Sequence, residues 1–199
     1  MIRIFLIGYM GAGKTTLGKA FAREMGLTFI DLDWYIEERF HKTVSQLFTE
    51  RTEDGFRELE KKMLHEVAEF EDVVIATGGG TPCFFDNMTY LNETATTVYM
   101  KASVETILEH LRLSKGERPL LKGKSDEELQ EQYNNMLFLN NAIIENYASS
   151  FGEKTDFKNK PLNVEEELKK ESISDISSRA ILMLDKLQSI LYHKQIQKI

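Results

Sequence analysis

Residues 8–16 read GYMGAGKTT, directly after the apolar run at residues 2–7 and directly before a stretch with helical periodicity. The pattern G-x-x-x-x-G-K-[ST] is met by Gly8, Gly13, Lys14 and Thr15. Glycines at this spacing let backbone N–H groups turn inward around a polyphosphate, and the following helix offers its positive N-terminal end. The lysine reaches the β- and γ-phosphates, and the hydroxyl after it ligates Mg2+. A strand before the loop and a helix after it are the context that such a loop needs. The chain is thereby held to an α/β fold with a nucleotide site at its first turn.

The rest of the chain alternates in the same way. Leu17, Ala20, Phe21 and Met25 recur at spacings of three and four, which predicts a helix over residues 14–25. Strands are expected over 28–32, 73–76 and 96–100. Phe56, Leu59, Met63, Val67 and Phe70 form one stripe, predicting an amphipathic helix over 53–70. Further helices are expected over 103–113 and 126–147. Strands alternating with helices imply a three-layer α/β/α sandwich around a mostly parallel sheet. The segment SKGERPLLKGKS suits a mobile lid at about residues 113–125. The tail is irregular over 151–170; Ser172 and Asp175 then form a possible capping box for a last helix, whose face of Ile176, Ala180, Leu184, Leu187 and Leu191 reads as core packing.

Composition narrows the function classes. With 199 residues, 42% of them hydrophobic, the chain suits one domain, residues 1–199. A formal net charge of −7 argues against a nucleic-acid or anionic-membrane binder, since both need a positive field. A single cysteine, Cys83, excludes an intrachain disulfide framework and suits a reducing cytoplasm. The opening apolar run is too short for a signal peptide, and no stretch reaches transmembrane length. The expectation is a cytoplasmic monomer without nucleic-acid or membrane partners. His41, His65, His110 and His193 show no ligand spacing and read as surface or packing residues, while Trp34 and Tyr35 read as core or pocket wall.

A nucleotide site leaves a switch GTPase, a motor or ATPase module, and a small-molecule kinase open. The chain has no N-K-x-D guanine-reading motif, and no apolar strand ends in D-x-x-G or a hydrophobic-DE pattern. The carboxylates sit instead at Asp31 and Asp33, after the second strand, which favours a compact kinase. A D-x-D pair in that place also serves as a helix cap, the competing structural reading.

FIDLD at residues 29–33, GFRELE at 55–60, IATGGGTP at 75–82 and RPLL at 118–121 join the phosphate loop in one order and spacing. Together they closely resemble shikimate kinase, over roughly residues 2–129. The resemblance implies a P-loop fold of the nucleoside-monophosphate-kinase type and Mg2+-dependent transfer of the γ-phosphate of ATP to the 3-hydroxyl of shikimate, on the route to chorismate and aromatic amino acids. It implies ATP binding by Gly11, Ala12, Gly13, Lys14, Thr15 and Thr16, with Lys14 also catalytic. Thr15 and Asp31 would serve the metal, the latter through water. Asp33 matches the aspartate that binds the ring hydroxyls and orients or deprotonates the attacking one. Arg57 matches the arginine that grips the acceptor carboxylate. Gly78, Gly79 and Gly80 permit conformations closed to other residues and would bring backbone N–H to the substrate. Arg118 matches a lid arginine that closes over the phosphates. Two alternatives use the same fold: a gluconate-type kinase, and a nucleotide-binding module with weakened catalysis.

The C-terminal part, about residues 130–199, departs from the family pattern. Where a second carboxylate-binding arginine is expected, the chain reads NNAIIENYA, which puts Asn140 in its place. Thr52 stands where the family has glycine, and the apolar run of a fifth strand is missing after Ala148. Asparagine donates a hydrogen bond but carries no charge. A hydrogen bond to a charged group is worth about 1.5–3 kcal/mol, or roughly a 10- to 100-fold change in binding. Asn140→Arg is therefore expected to lower the KM for shikimate in steady-state assays; an unchanged or higher KM would show that position 140 does not face the carboxylate.

Overall fold

The structure is a computed structural model that describes residues 2–100 and, beyond them, residues 102, 103, 106, 107, 110, 127, 128 and 131. Arg118, Asn140, the lid at 113–125 and the irregular tail lie outside the described residues. Of the helices expected over 103–113 and 126–147, the described residues Thr106, Ile107, His110, Glu127, Glu128 and Glu131 are helical, while Ser103, expected as a helical residue, is not.

Four strands, β1 (Arg3–Ile7), β2 (Thr28–Asp31), β3 (Val73–Ala76) and β4 (Thr96–Tyr99), form one sheet in the order β2-β3-β1-β4. Every pairing is parallel, with Phe5 opposite Ile75 and Thr97 on its two sides and Ile30 opposite Ile75. Parallel strands covered on both faces need no polar side, which explains the unbroken apolar runs IFLI in β1 and VVIA in β3. Alternation along β1 divides the core. Ile4 and Leu6 pack with Leu17, Phe21 and Ala22 of α1 (Lys14–Met25). Phe5 and Ile7 face the other layer, built from α2 (Leu32–Phe40), α3 (Val44–Val67) and α4 (Asn87–Thr94).

Several boundaries differ from the sequence expectation, β4 among them, which ends at Tyr99 rather than at residue 100. β2 stops at Asp31, and Leu32, fully buried, is the first residue of α2. The Asp31 side chain explains the switch: it accepts from the backbone N–H of Asp33 at 3.1 Å and ends the strand as a helix cap. α3 begins nine residues earlier than the apolar stripe suggests, at a capping box in which Gln46 N–H donates to Thr43 Oγ1 (3.2 Å) and Thr43 N–H to Gln46 Oε1 (2.8 Å). It ends at Val67 rather than Phe70, because the chain tightens into a turn there: Glu69 N–H donates to Glu66 O and Phe70 N–H to Val67 O. Phe70 is consequently 39% exposed, with its ring edge-on to Tyr35. Trp34, expected in the core or a pocket wall, is 50% exposed on α2 with the Lys19 ammonium over its ring. Tyr35 is half-buried, as expected.

α3 is not one straight helix. Thr52 has φ 62° and ψ 172°, so the helix breaks there and resumes at Glu53. That backbone region is almost exclusive to glycine and costs other residues about 1–3 kcal/mol. Thr52 is exposed, so its side chain contributes little packing in return. Thr52→Gly is expected to raise Tm by a few degrees: relief of strain outweighs the roughly 0.5–1 kcal/mol entropic cost of glycine, at about 2–4 °C per kcal/mol for a chain of this size. Thermal denaturation followed by circular dichroism reads this directly, and a lower Tm would show that the break carries no strain.

Candidate active site

The topology selects the site. β1 and β3 are neighbours, yet β1 leads into α1 on one face while β3 leads, through a 3-10 turn at Thr81–Cys83, into α4 on the other. Loops that diverge to opposite faces leave a crevice at the carboxyl ends of their strands, where ligands of open parallel sheets bind. Both glycine-rich segments lie at this point. Thr77 anchors the second to the first strand, its N–H donating to Leu6 O at 3.0 Å.

On the β1 side, Gly8, Gly11 and Gly13 have φ of 147°, 82° and 89°, which turns the loop back on itself as the motif requires. Lys14 is buried against its own loop, with Nζ donating to Gly8 O (2.7 Å) and Tyr9 O (2.9 Å). Thr15 Oγ1 donates to Asp31 Oδ2 at 2.7 Å. The two residues expected at a metal are thus brought together, and Asp31 also caps α2 with its other oxygen. The competing structural reading of the D-x-D pair, a helix cap, is met at Asp31.

On the β3 side, Asp33, Arg57 and the glycine triplet converge. The Arg57 guanidinium is buried, tied to Glu60 at 2.9 Å and Glu53 at 3.3 Å, and lies over the ring of Phe84. Its Nε is buried without a hydrogen-bond partner among the described residues. Glu60, only 1% exposed, also accepts from Thr81 Oγ1 at 2.6 Å. Asn87 Nδ2 in turn donates to Thr81 O at 2.9 Å. The supporting pair Thr81 and Asn87 had no sequence signal beyond its place after the triplet; Glu60 was not singled out either, although its i,i+3 spacing to Arg57 is a signal that could have found it.

The triplet serves a different physical need from the one its sequence suggests. None of Gly78, Gly79 and Gly80 has a positive φ. What they supply is room. A Cβ on Gly78 would lie 2.8 Å from Glu60 Oε1 and 3.1 Å from Asp33 Oδ1, and one on Gly80 would lie 2.9 Å from an Arg57 nitrogen. A Cβ on Gly79 would lie 2.9 Å from the backbone N of Met10, in the phosphate loop. The glycines let two charged groups and the phosphate loop close around one segment.

Asp33 is the most perturbed carboxyl described. Burial pushes it up to about 7, Asp31 and Glu60 add to the rise, and the Lys14 ammonium opposes it. A carboxyl held there exchanges protons near neutrality, as a general base requires.

The family model for shikimate kinase matches residues 10–180. The chain belongs to the shikimate kinase family. It is 72% identical to the shikimate kinase of Phocaeicola vulgatus over 131 residues, which are 66% of this chain and 75% of that one. The solved shikimate kinase of Bacteroides thetaiotaomicron superposes with a TM-score of 0.76 at 50% identity, covering 94% of this chain and 98% of its own. A shikimate kinase of Acinetobacter baumannii, solved in complex with shikimate, gives 0.73 at 27% identity, covering 95% and 94%. A gluconokinase of Sinorhizobium meliloti, at 15% identity and a TM-score of 0.51, shares the fold alone. Shikimate kinase membership makes the chain an ATP-using phosphotransferase. Among the described residues, no helix is long and apolar enough to cross a membrane.

The contact between Gly79 and Met10 couples the two halves of the site. Gly79→Ala is expected to lower kcat/KM about a hundredfold, the usual scale for displacing reacting groups by about 1 Å, and to lower Tm as well, because the new Cβ meets backbone that must shift. ADP-release kinetics alongside thermal denaturation test this; wild-type kinetics would show that the two loops move independently.

Proposed function

We propose that this chain transfers the γ-phosphate of ATP to the 3-hydroxyl of shikimate, giving 3-phosphoshikimate on the route to chorismate and aromatic amino acids. The observation that carries the reading is the meeting of Asp33 and Arg57 across the glycine triplet, with the phosphate loop against the same triplet. An acceptor bearing hydroxyls and one carboxylate needs both a proton acceptor and a cation within one small ring's breadth.

In this reading, residues 11–16 hold the polyphosphate through backbone N–H groups of the loop other than that of Ala12, which donates to Tyr9 O, and through the Lys14 ammonium. Asp33 takes the proton of the attacking hydroxyl and points it at the γ-phosphorus. Arg57 binds the acceptor carboxylate: its guanidinium has five N–H donors, and Glu60 and Glu53 engage only part of them. Glu60 fixes the fork's orientation from the buried side. Gly78, Gly79 and Gly80 form a wall without side chains, and Arg118 and Asn140 complete the lid and acceptor sides.

Thr15 and Asp31 fit Mg2+, because their oxygens are hard donors already side by side, and Mg2+ commonly takes one or two protein oxygens with phosphates and water. When bound, the ion neutralises charge on the β- and γ-phosphates.

ADP release from ATP and Mg2+ is measured with shikimate, with gluconate and with no acceptor. Release that requires shikimate is expected; absence at millimolar shikimate, or equal release with gluconate, overturns the assignment. The pH dependence follows from Asp33. Its folded value lies above its unfolded one, so the protonated form is favoured by the fold, and stability is lost as pH rises through about 7. The base works deprotonated, so kcat/KM for shikimate is expected to climb with pH through the same region. Asp33→Asn is expected to abolish transfer while raising Tm at pH 8 more than at pH 5. A Tm gain of equal size at both values would remove Asp33 as the group responsible.

A further inference from the structure

The phosphate loop is made of residues that turn easily, and one side chain from a distant segment holds it. His110 Nδ1 lies 2.7 Å from Gly11 O. A carbonyl oxygen only accepts, so Nδ1 carries the proton and donates. The helix that presents His110 is placed from its start: Thr106 N–H donates to Ser103 Oγ at 3.2 Å, and Ile107 N–H to Ser103 O at 3.0 Å. Ile107, fully buried, anchors it, and His110 lies three residues on, on the same side of the helix.

Gly11 has φ 82°, and the peptide after a glycine rotates at little cost. In a trans peptide the C=O and the next N–H point in opposite directions. The Gly11–Ala12 peptide is gripped at both ends: its C=O by His110, and its N–H by Tyr9 O at 3.1 Å. Tyr9 O also accepts from Lys14 Nζ at 2.9 Å. One run of contacts therefore joins His110, the Gly11–Ala12 plane, the Tyr9 carbonyl and the Lys14 ammonium.

We infer that His110 is a positioning residue for the nucleotide site: by holding the Gly11 carbonyl it sets the peptide plane that aims the loop and Lys14 at the phosphates. This rests on the proposed ATP site but not on the identity of the acceptor. Loss of a neutral hydrogen bond of this kind is worth about fivefold in affinity.

His110→Phe keeps the ring and removes the donor, whereas His110→Asn keeps a donor near the position of Nδ1. ATP and ADP binding is measured by calorimetry without acceptor, and KM for each substrate by ADP release. For His110→Phe we expect nucleotide Kd and KM raised about fivefold or more with shikimate KM within twofold, and for His110→Asn recovery to within twofold of wild type. Wild-type nucleotide binding by His110→Phe overturns the inference. Equal impairment of Phe and Asn variants, or a parallel rise of both KM values with a lower Tm, also overturns it by pointing to packing alone. Intact nucleotide binding effects with no shikimate turnover in any form would leave the His110 role standing and remove the acceptor assignment instead.

Discussion

The Asp31 carboxylate ties the two ends of the site to one another. One oxygen accepts from Thr15, at the start of the helix behind the phosphate loop; the other accepts from the Asp33 N–H and starts α2. Because α2 begins at the carboxyl end of β2, Asp33 lands over Gly78, beside Glu60. A helix cap normally satisfies an orphan donor and no more. Here the cap also sets the register between the groups assigned to the metal and the acceptor. Position 31 therefore needs an acceptor with two divergent oxygens, and a one-oxygen cap such as serine would satisfy only half of its partners.

Much of this was legible in the sequence because the constraints are local. An apolar run, a glycine loop and a lysine–threonine pair can be read in order, and the strand–loop–helix follows from them. The stripe from Phe56 to Val67 gave the buried face of α3, but not its start, which rests on the polar box of Thr43 and Gln46. α2 was hidden because its nine residues bury only Leu32 and Ile36, too few for a visible period. The conformational freedom expected of the glycine triplet is not what the fold uses there. Its φ values are ordinary, and the demand for glycine comes from Glu60, Arg57 and Met10, all distant in sequence. His110 looked like a packing residue for the same reason: its partner, Gly11, lies 99 residues away.

The charges of the acceptor side bear on the role proposed for position 140. Arg57 is shared with Glu60, which is buried, and with Glu53, so its positive charge is largely spent within α3. Asp31, Glu37 and Glu60 all raise Asp33, against Lys14 alone. A carboxylate entering this field meets more negative than positive charge from the described residues. Two features reduce that cost. Asp33 is held near neutrality by burial, so near neutral pH much of the resting site carries one negative charge fewer. The remaining N–H groups of Arg57 give a geometrically fixed contact in a region shielded from water, where a charge-assisted hydrogen bond counts for more than at the surface. Ionising Asp33 once the acceptor is bound restores that negative charge beside it. In the proposed reading, an uncompensated acceptor carboxylate would raise Asp33 further and keep it protonated near neutral pH, so the base is available only while a cation such as Arg57 offsets that carboxylate.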